Sequence, residues 1–130
     1  MQRRLAEARV ARLATVRPDG RPHLVPITFA LATDRVVSAV DHKPKSTTDL
    51  QRLKNIAANS SVSVLVDHYQ EDWSGLWWVR ADGRGTIVEA GPDRERAISL
   101  LRDKYAHYRE DPPHGPAIVV DIERWSSWSA

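Results

Sequence analysis

The stretch from Asp41 to Asp67, DHKPKSTTDLQRLKNIAANSSVSVLVD, constrains the fold most, because a helical period gives way to a strand period with almost no spacer. Ser46, Thr47, Thr48 and Asp49 match the Ser/Thr-x-x-Asp/Glu spacing of a capping box, so the sequence predicts a helix starting there. Leu50, Leu53, Ile56 and Ala57 fall on one buried stripe of that helix, with Arg52 and Lys54 on other faces. Ser61 to Asp67 then alternates Val62, Val64 and Val66 on one side of a strand. The helix start carries unsatisfied N–H groups and partial positive charge, and Lys43, Lys45 and three hydroxyls stand at it. That combination predicts an anion site suited to phosphate, with Arg52 or Lys54 able to reach the same anion.

The rest of the chain reads mostly as strands. Gln2 to Arg9 is the tail of a helix, expected over the mouth of a sheet. Val10 to Val16 is a strand, Arg17-Pro18-Asp19-Gly20 a turn, and Pro22 to Leu31 the returning strand. In it Val25, Ile27, Phe29 and Leu31 share one face, and Thr28 and Ala30 the other. Pro26 cannot donate to a ladder, which implies an edge, a bulge or a ligand in place of a neighbouring strand. Arg35 to Val40 is a third strand, Ser61 to Asp67 a fourth, and Leu76 to Val88 a fifth with a bulge or hairpin turn at Asp82-Gly83. The longest helix is expected from Arg94 to about Tyr108, followed by a strand from Ala117 to Ile122 and a short aromatic tail, Arg124 to Trp128. The pattern of six strands with two or three helices predicts a mainly β, α+β fold: an antiparallel barrel with peripheral helices, in a single domain over residues 1–130.

The absence of cysteine excludes disulfides and thiolate metal sites. No apolar run approaches the roughly 20 residues of a membrane span, and MQRRLAEARVAR lacks the apolar core of a signal peptide, so a cytoplasmic location is expected. A net charge of +2 with interspersed acids and bases argues against a nucleic-acid partner and for a small anionic ligand. The motifs of zinc proteases, α/β-hydrolases, P-loop and dinucleotide-binding proteins are missing. The five histidines do not pair at metal-ligand spacing and read as surface or loop residues, so no metal site and no catalytic side chain is assigned. Trp77 and Trp78 are adjacent on a strand and must face opposite ways, so one looks into the core and the other toward a ligand, a partner chain or water.

The order RVARLATVRPDGRPHLVPITFAL, a lysine-bearing loop, RLKNIAANSSVSVLVD and then EDWSGLWWVRADGRG resembles the pyridoxamine-5'-phosphate-oxidase-like split β-barrel superfamily, the FMN-binding split-barrel type. Within it, the DHKPK loop and the LWWVR run look like the deazaflavin branch, whose cofactor is coenzyme F420. The resemblance implies a homodimer with two cofactor sites at the subunit interface. It implies Val25, Pro26, Ile27 and Thr28 beside the tricyclic ring, Lys43, Lys45, Ser46, Thr47 and Arg52 around the phosphate with Lys54 as a second choice, and Trp77 or Trp78 closing over the ring or substrate. Trp125 or Trp128 of the second copy would complete that cover.

The activity implied is hydride transfer between coenzyme F420 and a small organic substrate, with the protein fixing distance and orientation. Tyr69 and Arg80 are candidate proton donors. An FMN-dependent oxidoreductase of the same fold, or a protein that holds flavin or deazaflavin without turnover, are the alternatives.

Overall fold

The computed structural model describes residues 1–40 and 47–130, with residues 47–50 described by backbone alone. The expectations for Lys43, Lys45 and Ser46 therefore lie outside the described residues. Its elements are α1 (Gln2–Glu7), β1 (Ala11–Val16), β2 (Pro22–Ile27), β3 (Ala30–Ala32), β4 (Arg35–Ala39), α2 (Thr47–Ala58), β5 (Ser61–His68), β6 (Trp77–Val88), α3 (Pro92–Lys104), α4 (Ala106–Glu110) and β7 (Ala117–Ser129). A single 3₁₀ turn, Trp73–Gly75, precedes β6. All strand pairs are antiparallel, in the order β2-β1-β5-β6-β7-β4-β3. The sheet curls into a half-barrel, mainly β with helices on its periphery.

The sheet has seven strands, where the sequence pattern predicted six. The expected strand from Pro22 to Leu31 is one extended run that serves both edges of the sheet: among the described residues β2 pairs only with β1, and β3 only with β4. Between them Thr28 and Phe29 leave the ladder, and side chains take over their backbone groups. Ser38 Oγ donates to the Thr28 carbonyl at 2.8 Å, and the Tyr105 hydroxyl accepts from the Phe29 N–H at 3.2 Å. The Tyr105 proton lies between the carbonyls of Arg9 at 2.8 Å and Phe29 at 3.1 Å. Thr28 Oγ1 and the Tyr108 hydroxyl are 2.7 Å apart. With these three backbone groups satisfied by side chains, the chain can leave one edge of the sheet for the other at low cost.

The expected helix to Tyr108 is also divided. Tyr105 is extended, at φ −115° and ψ 120°, and separates α3 from α4. This break turns Tyr105 and Tyr108 onto Thr28 and Phe29. The aromatic tail is not a tail, because β7 continues to Ser129 against β6. The bulge expected at Asp82-Gly83 is present: Asp82 faces Arg124 and Gly83 faces Ile122, so Glu123 is the extra residue, on β7. A Cβ on Gly83 would lie 2.1 Å from the Asp121 carbonyl oxygen, so only glycine fits beneath that crossing.

The core has two parts. Inside the half-barrel, Leu13, Ile27, Phe29, Val64, Val66, Val79, Ile118 and Val120 pack with Leu5 of α1 and Ile56 of α2. On the other side of β3, β4 and β7, Ala97 and Leu101 of α3 and Tyr108 of α4 cover Ala30, Val37, Ala39 and Val119. The inward alternation of Val25, Ile27, Phe29 and Leu31 and the opposite direction of Ala30 are as the period predicts. In α2, Ile56 is buried as expected, whereas Ala57 is exposed and Asn55 takes the buried place.

Candidate functional site

Among the described residues, no helix covers the opposite face of β2, β1, β5 and β6. Its side chains are the second half of each alternation: Pro22, Leu24 and Pro26 on β2, Arg12, Ala14 and Val16 on β1, Ser63, Leu65 and Asp67 on β5, and Trp78, Arg80 and Asp82 on β6. Register sets them in rows across the strands, Pro26-Arg12-Leu65-Arg80 and Leu24-Ala14-Ser63-Asp82. Arg12, Leu24, Leu65, Asp67, Trp78 and Arg80 line a groove of about 530 Å³. A second hollow of about 330 Å³ adjoins it, lined among others by Ala14, Val16, Pro22, Ser63 and Asp82.

The groove combines flat apolar surface with cations. Leu24 is 66% exposed, and Trp128, the register partner of Trp78, is 47% exposed. The Arg80 guanidinium lies 5.6 Å from the centre of the Trp78 ring and pairs with Asp82 at 3.2 Å. Asp82 also accepts from Ser63 Oγ at 2.6 Å, and Arg12 pairs with Asp67 at 3.8 Å. Solvent screens these half-exposed pairs, so they orient the guanidinium groups more than they stabilise the fold.

At one end of the half-barrel, α2 meets β1 and β2 through polar side chains. Asn55 is completely buried, donates to Thr15 Oγ1 at 3.0 Å and accepts from Gln51 Nε2 at 2.8 Å. His23, opposite Thr15 in register, is also buried, which corrects the expectation of a surface or loop histidine. Its Nδ1 meets no hydrogen-bond partner among the described residues. Burial holds the imidazole below its ordinary pKa, and the charges of Arg17 and Arg52 add to the effect. Arg52 thus sits where its charge is felt on β2, two residues before Val25.

The predicted site residues divide as follows. Pro26 is exposed on the free edge strand, Val25 is half-buried against the core, Ile27 is buried, and Thr28 is held by Tyr108. Arg52 is half-buried beside β2, while Lys54 is exposed on another side of α2. Thr47 opens α2. Trp78 looks into the groove, whereas Trp77 turns the other way and packs against the core beneath Arg4. Trp125 is likewise turned inward, and Trp128 stays outside. Of the candidate proton donors, Arg80 lines the groove and Tyr69 hydrogen-bonds Glu71 in an exposed loop. Sequence reasoning passed over Arg12, Leu24, Leu65 and Asp67, although the same period-2 alternation that marks the core marks them as the other face. Among the described residues no group of three His, Asp or Glu side chains is placed to hold a metal ion, and no helix is long and apolar enough to cross a membrane.

A curled antiparallel half-barrel of this order, with a free edge at β2 and a groove on its outer face, defines a split-barrel protein. The chain belongs to the pyridoxamine 5'-phosphate oxidase family, whose model matches residues 1–129. No curated protein matches the sequence. Among solved structures, a FAD-binding protein from Mesorhizobium loti is 25% identical, with a TM-score of 0.71 over 97% of this chain and 89% of that one. A conserved hypothetical protein from Mycobacterium tuberculosis is 21% identical, with a TM-score of 0.77 over 96% and 79%. The heme storage protein HutZ from Vibrio cholerae is 15% identical, with a TM-score of 0.72 over 95% and 87%. At the identities of the last two, the likeness is one of fold.

Proposed function

We propose that this chain is an oxidoreductase that transfers a hydride between coenzyme F420 and a small organic substrate, working as a homodimer whose bare sheet faces enclose the cofactor. The observation that carries this reading is the groove on the outer face of β2, β1, β5 and β6, where Leu24 and Trp78 stand beside two guanidinium groups. Its volume of about 530 Å³ is in the range of small-ligand sites, and its flat apolar floor with cationic edges suits a phosphate-bearing tricyclic ring. Membership of a family named for an oxidase adds support.

In this reading Trp78 packs on the ring, and the free edge of β2 from Val25 to Thr28 runs beside it. Arg52 holds the phosphate, together with Thr47 and with Lys43, Lys45 and Ser46 of the segment outside the described residues, and Lys54 remains a second choice. Trp77 belongs to the other side of β6 and takes no part. When bound, the deazaflavin supplies hydride chemistry at its ring carbon. The chain's own contribution is to fix the ring against the substrate and to exclude water by bringing two apolar faces together, Trp128 included. Arg80, like Arg12, can place positive charge and N–H donors beside the substrate.

FMN is the second reading, favoured by the FAD-binding relative from Mesorhizobium loti. A tryptophan-fluorescence titration with coenzyme F420 and, separately, with FMN distinguishes the two. Saturable quenching at low micromolar deazaflavin with little response to FMN is the expected result; preference for FMN changes the cofactor, and silence with both removes the functional claim. Arg52→Ala is expected to weaken cofactor affinity by about 1–2 kcal/mol, the size of a charge-assisted hydrogen bond. Light scattering tests the dimer, and a stable monomer at micromolar concentration would sink the shared site.

A further inference from the structure

Beside Trp77, on the side of β6 away from Trp78, α1 closes over the sheet and leaves a further cavity of about 310 Å³ that meets the groove at Asp67. Arg4, Glu7, Arg9, Asp67, His68 and Trp77 line it. The Arg4 guanidinium stands 4.9 Å from the centre of the Trp77 ring, and the His68 ring stacks on the same indole at 5.9 Å with 19° between planes. The cavity therefore has an aromatic floor with a guanidinium against it. A guanidinium keeps its N–H donors in its own plane, the geometry that meets a carboxylate with two parallel hydrogen bonds.

Charge in the cavity is not balanced locally. Both acids are directed elsewhere: Glu7 pairs with Arg3 at 3.5 Å and Asp67 with Arg12 at 3.8 Å. Among the described residues neither Arg4 nor Arg9 has a carboxylate partner. Arg9 donates to the Lys104 carbonyl at 3.1 Å and lies over the Tyr105 ring at 4.9 Å. Lys104, whose ammonium donates to the Ala8 carbonyl at 2.6 Å, adds a third cation behind them. Its pKa is lowered to about 8, by burial first and by the charge of Arg9 second.

We propose that this cavity binds a small organic carboxylate with a flat apolar body, the carboxylate gripped by Arg4 and Arg9 and the body resting against Trp77 and His68. The proposal does not rest on the proposed activity, although the cavity shares Asp67 with the groove. Two features select this class. The two arginines of the lining ask for an anion, the fork of Arg4 for one with two acceptor oxygens, and the ring floor gives the ligand's apolar part a surface that a bare inorganic anion does not use.

Nitrogen–proton correlation spectra test it, because the five tryptophans give five indole N–H signals and Trp77→Phe assigns the relevant one. Benzoate is the probe, with benzamide and inorganic phosphate as comparisons. Benzoate is expected to move the Trp77 signal saturably at low millimolar concentration, with benzamide and phosphate weaker by about tenfold or more. Arg4→Ala is expected to weaken benzoate about tenfold, while Arg96→Ala, an exposed arginine of α3 outside this lining, leaves it within about twofold. The same spectra report whether each variant is folded. An unmoved Trp77 signal, equal binding of benzamide or phosphate, an Arg4→Ala variant that binds like the parent, or movement of Trp78 in place of Trp77 would each overturn the proposal.

Discussion

One sheet here has two differently treated outer faces. Behind β3, β4 and the first half of β7, helices α3 and α4 supply Ala97, Leu101 and Tyr108, and β4 is buried on both sides from Val36 to Ala39. Behind β2, β1, β5 and β6, the described residues supply no such cover, and Leu24 and Trp78 remain open with Arg12 and Arg80. The strands obey the same alternation in both regions. What differs is whether the chain itself provides the second layer, and here α3 and α4 lie between β6 and β7 and fold back over the neighbouring strands only. The second layer is therefore supplied on one side only, and the open side is left for whatever the protein binds.

The contrast can be broken most sharply at Leu101, which is fully buried under α3. Leu101→Ala is expected to cost about 2–5 kcal/mol in chemical denaturation; a loss below 1 kcal/mol would show that α3 is not a structural layer. Tyr105→Phe removes the hydroxyl that satisfies Phe29 where the chain changes edges, and is expected to cost about 1–3 kcal/mol in the same assay. An unchanged midpoint would mean that Phe29 finds another partner. His23 gives a smaller effect that shows as a slope. Its folded-state pKa lies below the ordinary 6.5, so the unfolded chain takes up the proton first. Its contribution is complete above that value and is lost as pH falls below it. Denaturation midpoints measured between about pH 7 and pH 5 should fall less steeply for His23→Leu than for the parent, and parallel slopes would refute the assignment. The smallest effect on the fold is expected at Leu24: Leu24→Ser should change stability by no more than about 0.5 kcal/mol. It should nevertheless shift a dimer toward monomer, and a large loss of monomer stability would show that this face is already covered.

Much of this was legible in the sequence. The alternations in β2 and β5 pointed to the inward faces, an edge was among the readings of Pro26, and a bulge among those of the Asp82-Gly83 pair. The errors share a cause. The break at Thr28 was unreadable because the groups that replace the ladder come from Tyr105 and Tyr108, 76 and 80 positions away. The extension of β7 to Ser129 depends on a partner, β6, that offers twelve residues of ladder. His23 reads as a loop residue on its own, and only the packing of α2 across the barrel end buries it.

The two adjacent tryptophans separate what each level decides. That Trp77 and Trp78 point to opposite sides of a strand follows from the sequence alone, since the side-chain period of a strand is two. Periodicity carries no information about which side will be covered, because the covering residues are distant in the chain. The curl of the sheet and the seat of α1 on Leu5 put Trp77 beneath Arg4 and leave Trp78 in the groove. The alternation was set by local backbone geometry, and its meaning by long-range packing.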